Sequence, residues 1–170
     1  MTDLSLPYRD VKPQGAADFY FAINATFAHI RDTYGHDALH DYWTELGNDY
    51  QRPVWQLWSE GGLPAVETYW RDFFSVEPGG EVVVSRGEDR VTVDVRSCPA
   101  IAHLRANGRD IVDEFCQQCV VMGNACATGA GLRIDVAGGN GRCVQTITHA
   151  DDRPAQDPTT VDGCATPREG

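Results

Sequence analysis

The sequence predicts an α+β fold, with an N-terminal helical layer packed on a small antiparallel sheet and a ββααββ order in the C-terminal half. Three observations predict it. Apolar and aromatic residues recur at helical spacing through residues 16–77, β-branched residues alternate with polar ones after residue 80, and helical stretches separate two strand pairs. A length of 170 residues suits one domain of ordinary size. Its 42% hydrophobic content and four tryptophans supply enough apolar surface to offset the ordering entropy of the chain. The organisation reads as an irregular lead-in over 1–15, a single α+β domain over 16–150 (helical over 16–77, ββααββ over 80–150) and a disordered tail over 151–170.

In the first helix, expected over about 16–34, Phe19, Ile23, Phe27 and Ile30 form one apolar stripe, and Gly35 interrupts it. The second, over about 37–50, carries Leu39, Tyr42, Trp43 and Leu46 on one face. Pro53 opens a shorter piece with Val54, Leu57 and Trp58 that Gly61-Gly62 stops. Pro64 begins another helix, where its missing N–H is harmless, with Val66, Tyr69, Trp70, Phe73 and Phe74 as an aromatic face. The aromatic set from Tyr42 and Trp43 through Trp55 and Trp58 to Phe74 is first of all core, and part of it could wall a small apolar pocket.

After Pro78-Gly79-Gly80 the texture changes. Two β-branched runs flank Gly87-Glu88-Asp89, and Val91, Val93 and Val95 alternate with polar residues, giving a hairpin with one buried face. Pro99 opens a helix through about Ala106, Asn107-Gly108 stops it, and a further helix is expected over about 109–127. The turn Gly138-Gly139-Asn140-Gly141 then joins the strands of a second hairpin. The tail after Ala150 is polar and Pro-rich without apolar periodicity, which makes Cys164 a passenger.

With 25 acids against 14 bases and Lys12 as the only lysine, the net charge of −11 argues against nucleic acid or an anionic membrane as partner. No apolar run is long enough to span a bilayer and the first residues lack a signal peptide's apolar centre, so the expectation is a cytoplasmic protein acting on a small-molecule substrate. In a reducing compartment six cysteines are not a disulfide framework. Each must be read separately.

Cys116, Cys119, Gly123 and Cys126 share one face of the expected helix. Gly123 would let a ligand, a metal or a neighbouring helix approach the backbone, and Cys126 has a plain reading as core. Cys116 and Cys119 form a C-x-x-C pair that could converge on a metal with Cys98 and His103, giving a zinc site, catalytic if one position stays open. A second reading makes a thiol the nucleophile, with His103 as base and Asp113 or Glu114 orienting it, against solvent exposure as the ordinary fate of both acids. A third, redox exchange, ranks last, because the pair lies several residues inside the expected helix and away from its N-terminus. A non-catalytic zinc or iron-sulfur protein is the alternative from another class. His29, His36 and His40 have helical spacing but no H-E-x-x-H pattern and read as surface or cap residues.

The helical N-terminal half followed by Cys98-Pro99, His103, Phe115-Cys116-x-x-Cys119 and a late Cys143 in a strand resembles the L-2-amino-thiazoline-4-carboxylic acid hydrolase-like family of small bacterial proteins. The likeness covers residues 16–148 as an order of elements, with motifs only between Cys98 and Cys143. It implies hydrolytic opening of a cyclic amidine-like ring bearing a carboxylate, or a related reaction on a small sulfur or nitrogen heterocycle, at Cys98, His103, Cys116, Cys119 and Cys143. Such a reaction needs a metal-bound hydroxide or an activated thiolate, and Arg105, Arg109 and Arg133 are candidates to hold the carboxylate, with surface solubility as the plainer role of each.

Overall fold

The computed structural model describes residues 15–165. Helix α1 (Phe19–Tyr34) ends where Gly35 takes φ 93°, a left-handed value that favours glycine. Phe27 is buried and Ile23 and Ile30 partly so, but Phe19, expected on the same stripe, is 70% exposed. Asn24 holds a buried place on this helix. Its amide donates to the Asp110 carbonyl at 2.8 Å and its oxygen accepts from the Val112 N–H at 3.0 Å, which satisfies the polar group and ties a distant loop to α1.

Helix α2 (His36–Glu45) buries Leu39 and Trp43 and runs into a π turn, Leu46–Tyr50, whose Leu46 carbonyl accepts from the Gln51 N–H. Helix α3 (Arg52–Val76) is broken at Gly62, φ 62°, so the two helical pieces expected on either side of Gly61-Gly62 are both present. Val54, Trp58, Leu63 and Val66 face the core.

Strands β1 (Glu81–Arg86) and β2 (Arg90–Ser97) form the first hairpin, and β3 (Leu132–Gly139) and β4 (Arg142–His149) the second. They make one antiparallel sheet in the order β1-β2-β4-β3. The hairpins join through β2 and β4, with Val91 opposite Ile147, Val93 opposite Gln145 and Val95 opposite Cys143. One face carries Val91, Val93, Val95, Ile134, Val136 and Ile147, each buried against helices, at about 1.5–3 kcal/mol per side chain. The other face leaves Val83 and Val144 exposed. The result is the expected α+β architecture: helices on one side of an antiparallel sheet.

Two expectations fail in the second half. Helix α4 (Pro99–Ala106) forms as expected, but the next helix, α5 (Gln117–Gly129), begins some eight residues late, after a short 3₁₀ turn, Asp113–Cys116. Residues 109–112 are held out of the helix because Asn24 takes the Asp110 carbonyl and Val112 N–H, while Ile111 and Val112 bury their side chains. Cys116 therefore lies at the N-terminus of α5 rather than inside it.

The tail is the second correction. Residues 151–165 form an ordered strap along β3, the sheet's edge strand. Gln156 accepts from the Val136 N–H at 2.8 Å and donates to its carbonyl at 2.7 Å, and the Asp162 N–H donates to the Gly138 carbonyl. Covering an edge satisfies its free backbone groups, a reason for order that apolar periodicity does not register. Val161 is 7% and Cys164 0% exposed. Gly139 is required here, since a Cβ on it would sit 2.5 Å from the Asp162 carbonyl oxygen. The expected lead-in over 1–14 and the tail end over 166–170 lie outside the described residues.

Candidate active site

Two hydrophobic clusters fill the molecule. One lies between α3, α5 and the sheet, the other among α1, α2 and α4, and Cys98 and Cys116 pack against both. Cys98 caps the N-terminus of α4, its N–H donating to the Gly141 carbonyl at 2.8 Å. Cys116 caps α5, Cys119 follows one turn later, and Cys143 comes from β4 beside Val95. Cys164 arrives on the strap, held where its N–H meets the Asp113 carbonyl and the Ala165 N–H meets the Asp113 carboxylate. Its Sγ stands 3.1 Å from Cys116 Sγ.

These thiols are not equivalent. Cys116 is drawn down from the ordinary thiol value to about 7, first by the hydrogen bond from Cys164, then by the Asn140 and Gly141 backbone amides and the Arg105 charge, which together outweigh its burial. Cys164, which keeps the shared proton, is pushed far upward by the same contact and by burial. Burial also raises Cys98, Cys119, Cys143 (to about 11) and Cys126 (to about 12). Cys119 is half-buried and lines a cavity.

That cavity, of about 180 Å³, is walled by Trp58, Tyr69, Trp70, Phe73 and Phe74 of α3 and by Tyr20 of α1. Its opposite wall carries Cys98, Cys116, Cys119 and Cys143. Trp58 and Trp70 have buried indole N–H groups without an acceptor, and the Tyr20 hydroxyl donates to Glu77 at 2.5 Å, with burial and then that carboxylate raising its pKa. Part of the aromatic set thus does form a pocket; Trp43 lies in the other cluster. A polar depression of about 400 Å³ holding Arg96, Arg105 and Asp162 adjoins it, and the two share Cys98, Gly139, Gly141 and Arg142.

The hairpin turn sets this junction. Gly138, Gly139, Asn140 and Gly141 all have positive φ, and the Asn140-Gly141 pair makes the tight connection into β4. Arg105 braces it by donating to the Asn140 carbonyl at 3.2 Å and to its side-chain oxygen.

Of the residues singled out from the sequence, Cys98, Cys116, Cys119 and Cys143 are brought together. His103 is not. It pairs with Asp18 at 3.0 Å and stacks on Phe21, and at two residues from Arg105 it points about 200° away around α4. Asp113 is used on the strap, and Glu114 pairs with Arg31 and His36, so neither orients His103. His29 lies on α1 and bonds Thr33, while His36 and His40 share α2 but are spent on different partners, Glu114 and Gln117. Because His103 is turned to Asp18 and Phe21, the expected set of Cys98, His103, Cys116 and Cys119 does not converge as a whole, and among the described residues no three His, Cys, Asp or Glu side chains are grouped as ligands for a metal ion.

Among the arginines, Arg105 acts on Cys116 through the turn. Arg109 lies 4.5 Å over the Phe21 ring, and Arg133 is committed to Asp135 and Asp151. Sequence reasoning missed Arg142. It is exposed, has no ion-pair partner among the described residues and lines both pockets. Its signal was its position between the glycine-rich turn and Cys143. Cys164 was also missed, because nothing within the tail's own sequence marks it. The close neighbour of Gly123 is the Ile134 side chain of strand β3, where a ligand, a metal or a helix was expected.

Comparison of the chain with protein-family models, curated proteins and solved structures gave no match.

Proposed function

We propose that the protein is a cysteine-dependent hydrolase, or a related ring-modifying enzyme, acting on a small carboxylated sulfur or nitrogen heterocycle. The observation that carries the reading is Cys116: a thiol favoured as thiolate near neutral pH, set in the wall of an apolar, aromatic-lined cavity. Nucleophilic cysteines need this combination of lowered pKa and access, which Cys126 on the same helix lacks.

In this reading a flat ring lies against the α3 aromatics while Arg142, at the junction of the two pockets and without an ion-pair partner among the described residues, takes the substrate carboxylate. Cys116 Sγ adds to the electrophilic ring carbon between the heteroatoms. The ring bond to the departing heteroatom then breaks, and the Cys164 thiol, 3.1 Å from Cys116, supplies the proton. Water adds at that carbon and releases the product from the sulfur, restoring the Cys116 thiolate and returning the remaining proton to Cys164. Cys164 holds the role that the sequence offered to His103.

The test is a panel of carboxylated thiazolines and related cyclic amidines, with ring opening followed by mass spectrometry for native protein and Cys116→Ala. Turnover by the native protein that falls about 10³-fold or more in the variant supports the reading. Equal turnover by Cys116→Ala overturns it.

A further inference from the structure

Cys116 attracts attention in the sequence through Cys119, its C-x-x-C partner. In the fold it is Cys164, 48 positions away, whose sulfur stands against it at 3.1 Å, while Cys119 has no hydrogen bond to Cys116 and faces the cavity. A disulfide needs about 2.05 Å between sulfurs, so closing this gap takes a shift of about 1 Å. The strap that carries Cys164 is fixed at both sides of that residue, by Val161 in the core and by Asp113 on the Cys164 and Ala165 amides. The sulfur is therefore presented, not merely nearby.

We infer that Cys116 and Cys164 form a peroxide-oxidisable dithiol, in which Cys116 is the sulfur attacked by oxidant and Cys164 the resolving thiol. This does not depend on the hydrolase reading. The oxidant class is a hydroperoxide, and hydrogen peroxide is small enough for a cavity of about 180 Å³. Cys116 Sγ attacks one peroxide oxygen, the O–O bond breaks, and the second oxygen leaves as hydroxide, giving a sulfenic acid. Cys164 Sγ then attacks Cys116 Sγ, forming the S–S bond; the sulfenic oxygen leaves with the Cys164 proton as water. Two thiols give up two electrons and two protons, and one peroxide becomes two waters. The lowered thiol pKa of Cys116 and the proton-retaining state of Cys164 suit this order of events, as the reactive sulfur is the thiolate. The product would also staple the strap to the start of α5, closing a large loop.

The experiment treats the reduced full chain with one equivalent of hydrogen peroxide, alkylates remaining thiols under denaturing conditions and maps linked peptides by mass spectrometry. Two of the six cysteines should resist alkylation, and the linked peptides should join Cys116 to Cys164. In Cys164→Ser, Cys116 should instead stop at a sulfenic acid, captured by dimedone. Six alkylated cysteines, or a link from Cys116 to Cys98, Cys119 or Cys143, overturns the inference. The link map of the native chain decides the matter even where the variant does not fold. Since no readout uses turnover, a failed hydrolase test leaves this result standing, and the reverse holds as well.

Discussion

Cys116 and Cys126 lie ten residues apart in what the sequence presents as one stripe, yet their surroundings shift the two thiols in opposite directions. Cys116, at the N-terminus of α5, meets a second thiol, two backbone amides and an arginine charge, and ionises near neutrality. Cys126, nearly three turns further on, packs in the core, is 1% exposed and is held up at about 12 by burial alone. The difference teaches that helical spacing gathers thiols on a face, but the end of the helix, with the turn and strap brought to it, decides which one is favoured as thiolate.

The largest effect should come from exchanging the two roles. Cys116→Ala is expected to lower turnover by about 10³-fold or more, whereas Cys126→Ala should leave kcat/KM within about twofold and cost about 1 kcal/mol of stability, read by urea unfolding. Comparable losses of activity from both substitutions would erase the contrast.

A smaller effect separates binding from chemistry at the same end of α5. Arg142→Ala should raise KM about tenfold or more with little change in kcat, if Arg142 holds the substrate carboxylate equally in ground and transition states. A fall in kcat at unchanged KM would remove Arg142 from that role.

The smallest is a pH effect on stability, opposite in sign for the two cysteines. Cys116, with its folded pKa lowered to about 7, contributes stability that is present above the ordinary thiol value and lost as pH falls through about 7. Cys126, raised to about 12, contributes stability that is full below the ordinary value of 9.0 and lost as pH rises through about 12. Urea midpoints at pH 8.5 and 10 should therefore fall less steeply in Cys126→Ala than in the native protein. An unchanged slope would mean that Cys126 does not stay protonated in the fold.

Much of this fold was legible in the chain. The hairpins around Gly87-Glu88-Asp89 and Asn140-Gly141, the break at Gly35 and the kink at Gly62 rest on local chemistry, the kind a sequence displays. The start of α5 was not, because it depends on Asn24 taking the backbone of Asp110 and Val112 from more than 80 residues away. The strap was hidden for a related reason. Its order comes from the unpaired edge of β3 and from Gln156, Asp162 and the Val161 contact, none of which leaves a periodic apolar pattern. The site inherited both misses: a misplaced helix start hid that Cys116 stands at the head of α5, and a tail read as disordered hid Cys164. Cys98, Cys119 and Cys143 were legible because cysteines spaced over strand and helix faces of one small core have few places to go.

The most direct measurement is the pH profile of alkylation at Cys116, resolved by peptide mass spectrometry in the folded protein. The arrangement at the head of α5 predicts half-maximal reactivity near pH 7, no measurable labelling of Cys126 over the same range, and a Cys116 profile that moves upward in Cys164→Ser. A Cys116 profile centred on the ordinary thiol value, unmoved by that substitution, would contradict it.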